Sequence, residues 1–353
     1  MTRTDGSRRR RIAIATLAAL SLLVASAGAQ GQNDGFYAGK TVRIIVGATP
    51  GGFYDRWARL LARYLPLHIP GNPNFIVQNM PSASSVVAAN YVYLAKPDGL
   101  TLVMALNSLH LDQIVGRREV KYDVGKFNLI GSQEKTPTMM YVRADSPIKS
   151  LGDFIQAKEP FKCGSTGTTS TAYTIYRLLQ EAFKAKITSV TGYQGGNEID
   201  LAVERGELVC RQMDVPPHFG REPFDSWHKK NFDRHLFQGG PKRDPRLAEV
   251  PTLLELLDQY KAPAVMSNLA RVVLATGELG RPMMAAPGVP PGRIKILRDA
   301  YAKALRDPGL IDEAKKGQMD LEYSSGEALQ AHIKDILGQP REVTDLVKKV
   351  LAD

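Results

Sequence analysis

Of the 353 residues only two are cysteine, two tryptophan and six histidine, and aromatics make up 7%. Two cysteines cannot carry a disulfide miniprotein, and no Cys-x-x-Cys redox motif is present. Gly-x-Ser-x-Gly, His-Glu-x-x-His and Gly-x-Gly-x-x-Gly are also missing, which removes the usual hydrolase elbow, zinc-protease helix and dinucleotide fingerprint. Beyond residue 30 there is no apolar run long enough to span a bilayer, no short-period repeat and no low-complexity tract. His68, His110, His218, His228, His235 and His332 are dispersed, so each reads as a surface or core residue and no metal site is expected. Trp227-His228-Lys229-Lys230 reads as an exposed basic turn, and no repeated aromatic pattern offers a stacking platform for nucleic acid.

What is present is ordinary globular composition: 43% hydrophobic, 23% charged, 31 glycines and 22 prolines. The length accommodates about two domains, each with its own core. Basic residues exceed acids by ten, but Arg3, Arg8, Arg9, Arg10 and Arg11 belong to the first 29 residues with only Asp5 against them, and without that segment the excess is six. A scattered excess of that size favours anionic small molecules weakly and nucleic acid hardly at all. The same segment has a basic start, an apolar run from Ile12 to about Ala25, and Ala27-Gly28-Ala29 before Gln30. It reads as a signal peptide over 1–29, cut near Ala29; a retained anchor is disfavoured by the shortness of its apolar core. The paired arginines leave Sec and twin-arginine export both open. Localisation in a bacterial periplasm follows, and that oxidising space allows Cys163 and Cys210 to pair, although two small buried residues would read the same way.

Thr41–Ala48 is a β-rich apolar stretch, Thr49-Pro50-Gly51-Gly52 a turn, and Trp57, Leu60, Leu61, Tyr64 and Leu65 follow helical spacing until Pro66. A strand at Phe75–Gln78, a helix from Ser84 to Ala95 and a strand at Thr101–Leu106 complete a βαβαβ unit, which specifies a parallel sheet. The pattern recurs as strand Phe161–Cys163, helix Ala172–Lys184, strand Ile187–Thr191, helix Asn197–Arg205 and strand Glu207–Gln212. From Pro290 onward four helical segments follow, at Pro291–Arg306, Pro308–Lys316, Ser325–Leu337 and Arg341–Leu351, and these are expected to cover the first lobe. The fold class is therefore α/β with two lobes.

Ligands of open parallel sheets collect where strands end and helices begin, because unpaired N–H groups there attract anions. Four loops have suitable glycine and hydroxyl content: Thr49–Tyr54, Asn79–Ser85, Gly164–Thr171 and Gly192–Asn197. The first begins like a P-loop but carries Phe53 and Tyr54 where lysine and Ser/Thr belong, so no phosphate or magnesium chemistry is supported. Asp55, at the helix start, suits a capping role rather than contact with an anion. The one enzyme-like pair is Ser108 with His110 on a strand-end loop, the basis of an alternative reading as a periplasmic hydrolase.

The ordered set of Pro50-Gly51-Gly52 with Asp55, Asn79-x-Pro81, Pro97-Asp98-Gly99-x-Thr101-Leu102, Ser165-Thr166-Gly167, Tyr193-x-Gly195-Gly196 and Val250-Pro251-Thr252 resembles the extracytoplasmic solute receptors of the tripartite tricarboxylate transporter family, the Bug receptors. That resemblance implies a two-lobed periplasmic binding protein of type II-like form, with parallel-sheet lobes joined by a hinge and the ligand cleft between them. It implies lobe one at 30–135 plus 240–353 and lobe two at 136–239. It implies a non-catalytic, monomeric receptor without a cofactor, capturing a small organic anion, a carboxylate, for large and small membrane subunits. The residues it brings to the ligand are Thr49, Gly51, Gly52, Phe53 and Tyr54, with Asn107, in lobe one, and Ser165, Thr168, Thr169, Ser170, Tyr193, Gly195, Gly196 and Asn197 in lobe two. It places the strands of Cys163 and Cys210 side by side, which favours their disulfide. A sensor-coupled receptor would use the same module. This chain departs from the family pattern at Phe53-Tyr54, where small residues are common, and at Ser82-Ala83-Ser84-Ser85, where Gly-Ala-Gly-Gly is frequent, so a narrower, more aromatic pocket is expected. Segments 215–235 and 262–288 match poorly, and a ligand role for Asp214 is not supported by its register.

Overall fold

A computed structural model describes residues 35–351 other than Thr169. The leader expected over 1–29, with its cut near Ala29, lies outside them.

The apolar stretch forms β1 (Thr41–Val46), and the helix after its turn is α1 (Phe53–Tyr64), which buries Trp57, Ala58, Leu60 and Leu61 and leaves Arg59 and Arg63 outside. Pro66 falls in the 3-10 turn Leu65–His68 that ends it. Then come β2 (Asn74–Asn79), α2 (Val86–Tyr93), β3 (Thr101–Met104), α3 (Leu109–Val115) and β4 (Asn128–Ser132). β1 lies between β2 and β3, parallel to both. The second unit is β5 (Thr138–Arg143), α4 (Leu151–Gln156), β6 (Phe161–Gly164), α5 (Thr171–Phe183), β7 (Ile187–Val190), α6 (Gly196–Glu204), β8 (Cys210–Asp214), α7 (Val215–His218), α8 (Phe224–Lys230) and β9 (Asp233–Gln238). After it follow α9 (Leu253–Gln259), α10 (Ala264–Leu274), α11 (Thr276–Leu279), β10 (Met283–Ala285), α12 (Pro291–Ala304), α13 (Pro308–Lys316), β11 (Ser324–Ser325), α14 (Gly326–Leu337) and α15 (Arg341–Leu351).

Two sheets result, ordered β11-β4-β10-β3-β1-β2 and β7-β6-β8-β5-β9. They are mixed rather than wholly parallel. The chain passes from the first sheet to the second after Ser132, and β5 starts opposite Asp214, the final residue of β8. A strand that enters from the end where its neighbours finish must run against them, so β5 is antiparallel to β8 and β9. The return makes β10 antiparallel to β3 and β4 for the same reason, Met283 starting opposite Met104. The two crossings are bound together: Thr136 N–H donates to Gly277 O at 2.9 Å, and Asn107 Nδ2 donates to Thr136 Oγ1 and to Thr276 O. Gly280 has φ +63°, and a Cβ there would stand 1.7 Å from Glu134 O, so only glycine fits this corner.

Packing changes later than residue 240. Leu253 and Leu257 of α9 and Leu269, Ala270 and Val273 of α10 share one core with Phe154, Ile175 and Leu179, on the second sheet. Val347, Val350 and Leu351 of α15 join that core too, together with Leu111 of α3, so α15 packs on both lobes while α12, α13 and α14 keep to the first. Trp227, expected on an exposed turn, is buried with its ring centroid 4.5 Å from that of Phe232. Helical spacing turns Phe224 and Trp227 inward together and leaves Lys229 and Lys230 outside. Cys163 and Cys210 are register partners on β6 and β8 and are disulfide-bonded, with Cα atoms 4.6 Å apart. Among the described residues no helix is long and apolar enough to cross a membrane.

Candidate ligand-binding cleft

Strands β1, β2 and β3 of one sheet and β6, β7 and β8 of the other finish at a common gap, and their loops enclose a cavity of about 330 Å³. Helices α1 and α6 start at its wall, one from each lobe, with Gly52 and Gly195 as N-caps and no side chain capping either end. Asp55 and Glu198, in the two first turns, reach back to the Gly51 and Gln194 N–H groups at 2.8 Å each, which leaves the amides that follow the N-caps without a capping side chain at this edge. The third helix at the cavity, α5, is capped by Ser170 Oγ, which accepts from Tyr173 N–H at 3.2 Å.

The approach loops are held rigid from below. Asp55 is buried, accepting from Gly51 N–H at 2.8 Å, Arg59 Nε at 2.9 Å and Asn79 Nδ2 at 3.0 Å. Burial raises its pKa, yet these donors together with the Arg59 charge hold it below the usual carboxylate range, so it is ionised and committed to the loop. Ala83, Ser84 and Ser85 adopt φ of 43°, 49° and 77°, the left-handed backbone that glycine takes without strain. Ser85 compensates with its hydroxyl, which donates to Gly47 O at 2.7 Å and accepts from Leu106 N–H at 3.1 Å, tying together the loops after β1, β2 and β3.

Three guanidinium groups face the cavity. Arg211 pairs with Asp200 and donates to Gly196 O at 3.0 Å, Arg221 pairs with the other Asp200 oxygen, and Arg281 bridges Glu134 and Asp214, the latter at 3.1 Å. Burial pushes Glu134 up to about 7 against the opposing pull of Arg281, and raises Asp214 as well. Arg281 lies 4.3 Å over the Tyr54 ring. Two buried polar atoms of lining residues, Tyr54 Oη and Arg211 Nε, make no hydrogen bond of good geometry with the described residues. Donors left open in this way beside empty volume suit an acceptor-rich guest.

The family model described as tripartite tricarboxylate transporter family receptor matches residues 69–349. The chain belongs to this receptor family. A relative of this receptor, the UPF0065 protein in gbd 5'region of Cupriavidus necator, is 28% identical over 327 residues, 91% of each chain. Among solved structures, MatC from Rhodopseudomonas palustris with bound malate superposes with a TM-score of 0.67 at 18% identity, covering 88% of this chain and 99% of that one. An R. palustris protein solved with adipate gives 0.67 at 20% identity, covering 88% and 97%. These likenesses establish the two-lobed periplasmic-binding-protein fold.

In this receptor the residues expected at the ligand are placed as follows. Thr49, Gly52, Phe53, Tyr54, Asn107, Ser170, Tyr193, Gly195, Gly196 and Asn197 line the cavity. Gly51 and Thr168 stand off it, Gly51 spending its N–H on Asp55 and Thr168 its carbonyl on Arg117. Ser165 is fully buried with its hydroxyl 3.1 Å from that of Ser189, and Thr169 lies outside the described residues. Asp214, whose register was unsupportive, does line the cavity. Sequence reasoning missed Arg211, Arg221 and Arg281. Arg211 carried a usable signal, a cation one residue beyond Cys210 in a strand, whereas Arg281 comes from the poorly matching segment and is recognisable only beside its distant partner Glu134. Ser108 and His110 are both fully buried, with no exposed surface for a substrate to reach.

Proposed function

We propose that this receptor is periplasmic and non-catalytic, that it captures a small organic anion bearing at least one carboxylate, and that it delivers it as a monomer to large and small membrane subunits. The carrying observation is that the uncapped starts of α1 and α6, one per lobe, open onto one cavity beside Arg211 and Arg281. Carboxylate oxygens complement exactly such N–H groups in a water-poor site, and micromolar capture needs about 8 kcal/mol net, within reach of a few charge-assisted hydrogen bonds. A volume near 330 Å³ suits a short mono- or dicarboxylate. The malate and adipate held by two neighbours of the same fold support that class. Phe53 and Tyr54 at the wall extend it to acids with an aromatic or unsaturated body. Three guanidinium groups face three carboxyl groups, Arg211 and Arg221 sharing Asp200 and Arg281 taking both Glu134 and Asp214, so on this reading the guest is fixed by directed N–H groups rather than by a large surplus of charge. The hydrolase alternative loses its footing with Ser108 and His110 sealed in the core.

A thermal-shift screen of C3 to C8 mono- and dicarboxylates, aromatic acids included, tests this. At least one acid should raise Tm in a dose-dependent way, by about 4 °C at a hundredfold excess over its Kd, without turnover. A panel with no dose-dependent shift, or chemical conversion of the acid, contradicts the proposal.

A further inference from the structure

Outside the cleft, three of the histidines expected to be dispersed converge on one acid. Asp233 and His235 project from the same face of β9, as positions two apart on a strand must, while α7 supplies His218 and α8 supplies His228. His218 Nε2 lies 2.9 Å from His235 Nε2, 3.1 Å from His228 Nε2 and 3.0 Å from Asp233 Oδ2. Asp233 Oδ2 is 3.3 Å from His235 Nε2 and 4.0 Å from His228 Nε2, and all four atoms fall within 4.8 Å of one another. Hydrogen bonding alone cannot satisfy this arrangement. A neutral imidazole carries one N–H, so His218 Nε2 can serve only one of its three neighbours, and protons moved to the Nδ1 atoms leave lone pairs facing a carboxylate. Accordingly Asp233 Oδ2, almost completely buried, has no hydrogen-bond partner of good geometry, and neither has His218 Nδ1.

We propose that His218, His228, Asp233 and His235 form a structural site for a divalent transition-metal ion, zinc by preference, separate from the anion cleft. Tetrahedral zinc with bonds of about 2.0–2.1 Å sets its ligand atoms about 3.3 Å apart, the middle of the range found here. Three imidazoles and a carboxylate suit zinc, copper or nickel and are poor for calcium or magnesium. Four protein donors leave no open position, which makes the site structural rather than catalytic. Tyr141, Phe219, Phe224 and Trp227 wall it with aromatic rings, while the partly exposed His228 and His235 leave a route for the ion. Bound there, the ion would clasp α7 and α8 to β9.

The test uses tag-free protein, dialysed against chelator and then titrated with zinc chloride. One zinc per chain should bind, Tm should rise by about 5 °C or more at saturation, and magnesium or calcium should do neither. Cobalt(II) in its place should give the intense visible absorption of tetrahedral coordination. His228→Ala and Asp233→Asn should each lose about 100-fold or more in zinc affinity; His228→Ala, at the more exposed ligand, guards against loss of folding, checked by circular dichroism. No stoichiometric zinc at about 10 μM free metal, a weak octahedral cobalt spectrum, or undiminished binding in a folded His228→Ala variant overturns the proposal.

Discussion

Gly195 and Thr49 belong to different lobes, yet a Cβ built on Gly195 would stand 2.2 Å from Thr49 Oγ1. Gly195 has φ −167°, extended backbone that any residue adopts, so the need for glycine comes from the opposite lobe and not from its own conformation. Gly195→Ala should therefore leave the fold intact and penalise closure: ligand affinity measured by calorimetry should fall about tenfold, at the lower end of overpacking costs, with the Tm of the ligand-free protein little changed. Undiminished affinity would mean that these loops do not meet around the ligand. Short-range chemistry at this scale was legible in the residues themselves. Asp55 could be assigned a helix-start role because its partners Gly51 and Arg59 are four positions away on either side. The Arg281 bridge was not, because Glu134 is 147 positions distant and neither residue has a local pattern that announces the other.

Among the elements, strands and helices of both βαβ units stand within a few residues of their expected bounds, since period-two and period-3.6 patterns are local. Direction was harder to read. β5 and β10 are short apolar runs like any other, and their antiparallel sense follows from where the chain crosses between sheets, which no local pattern encodes. The same ignorance of tertiary partners hid the double role of α15, whose amphipathic face covers α3 of the first lobe as expected and also packs on α5 and α10. The disulfide joins β6 to β8, which are parallel and separated by 47 positions. Closing a loop of that length should stabilise the fold by about 3–4 kcal/mol through the unfolded chain. The double variant Cys163→Ala, Cys210→Ala should unfold at correspondingly lower denaturant, and equal midpoints would show that the bond contributes nothing to folding.

On the scale of the molecule, the lobes meet on several sides of the cavity. Ser84 Oγ lies 3.2 Å from Thr166 Oγ1, and Arg56 of the first lobe donates to Gly220 O of the second at 2.9 Å. On the proposed function the two lobes would close on a guest bound to both, and the paired crossings at Thr136 and Gly277 are where such a hinge would bend. The central claim is that the guest is recognised through its negative oxygens by N–H groups from both lobes. Isothermal titration of the best acid from the screen, alongside its uncharged primary amide, tests it most directly. The acid should bind one to one at about micromolar Kd and the amide about 100-fold or more weakly, because the amide replaces an acceptor with a donor opposite donors. Equal affinity for acid and amide would contradict the account.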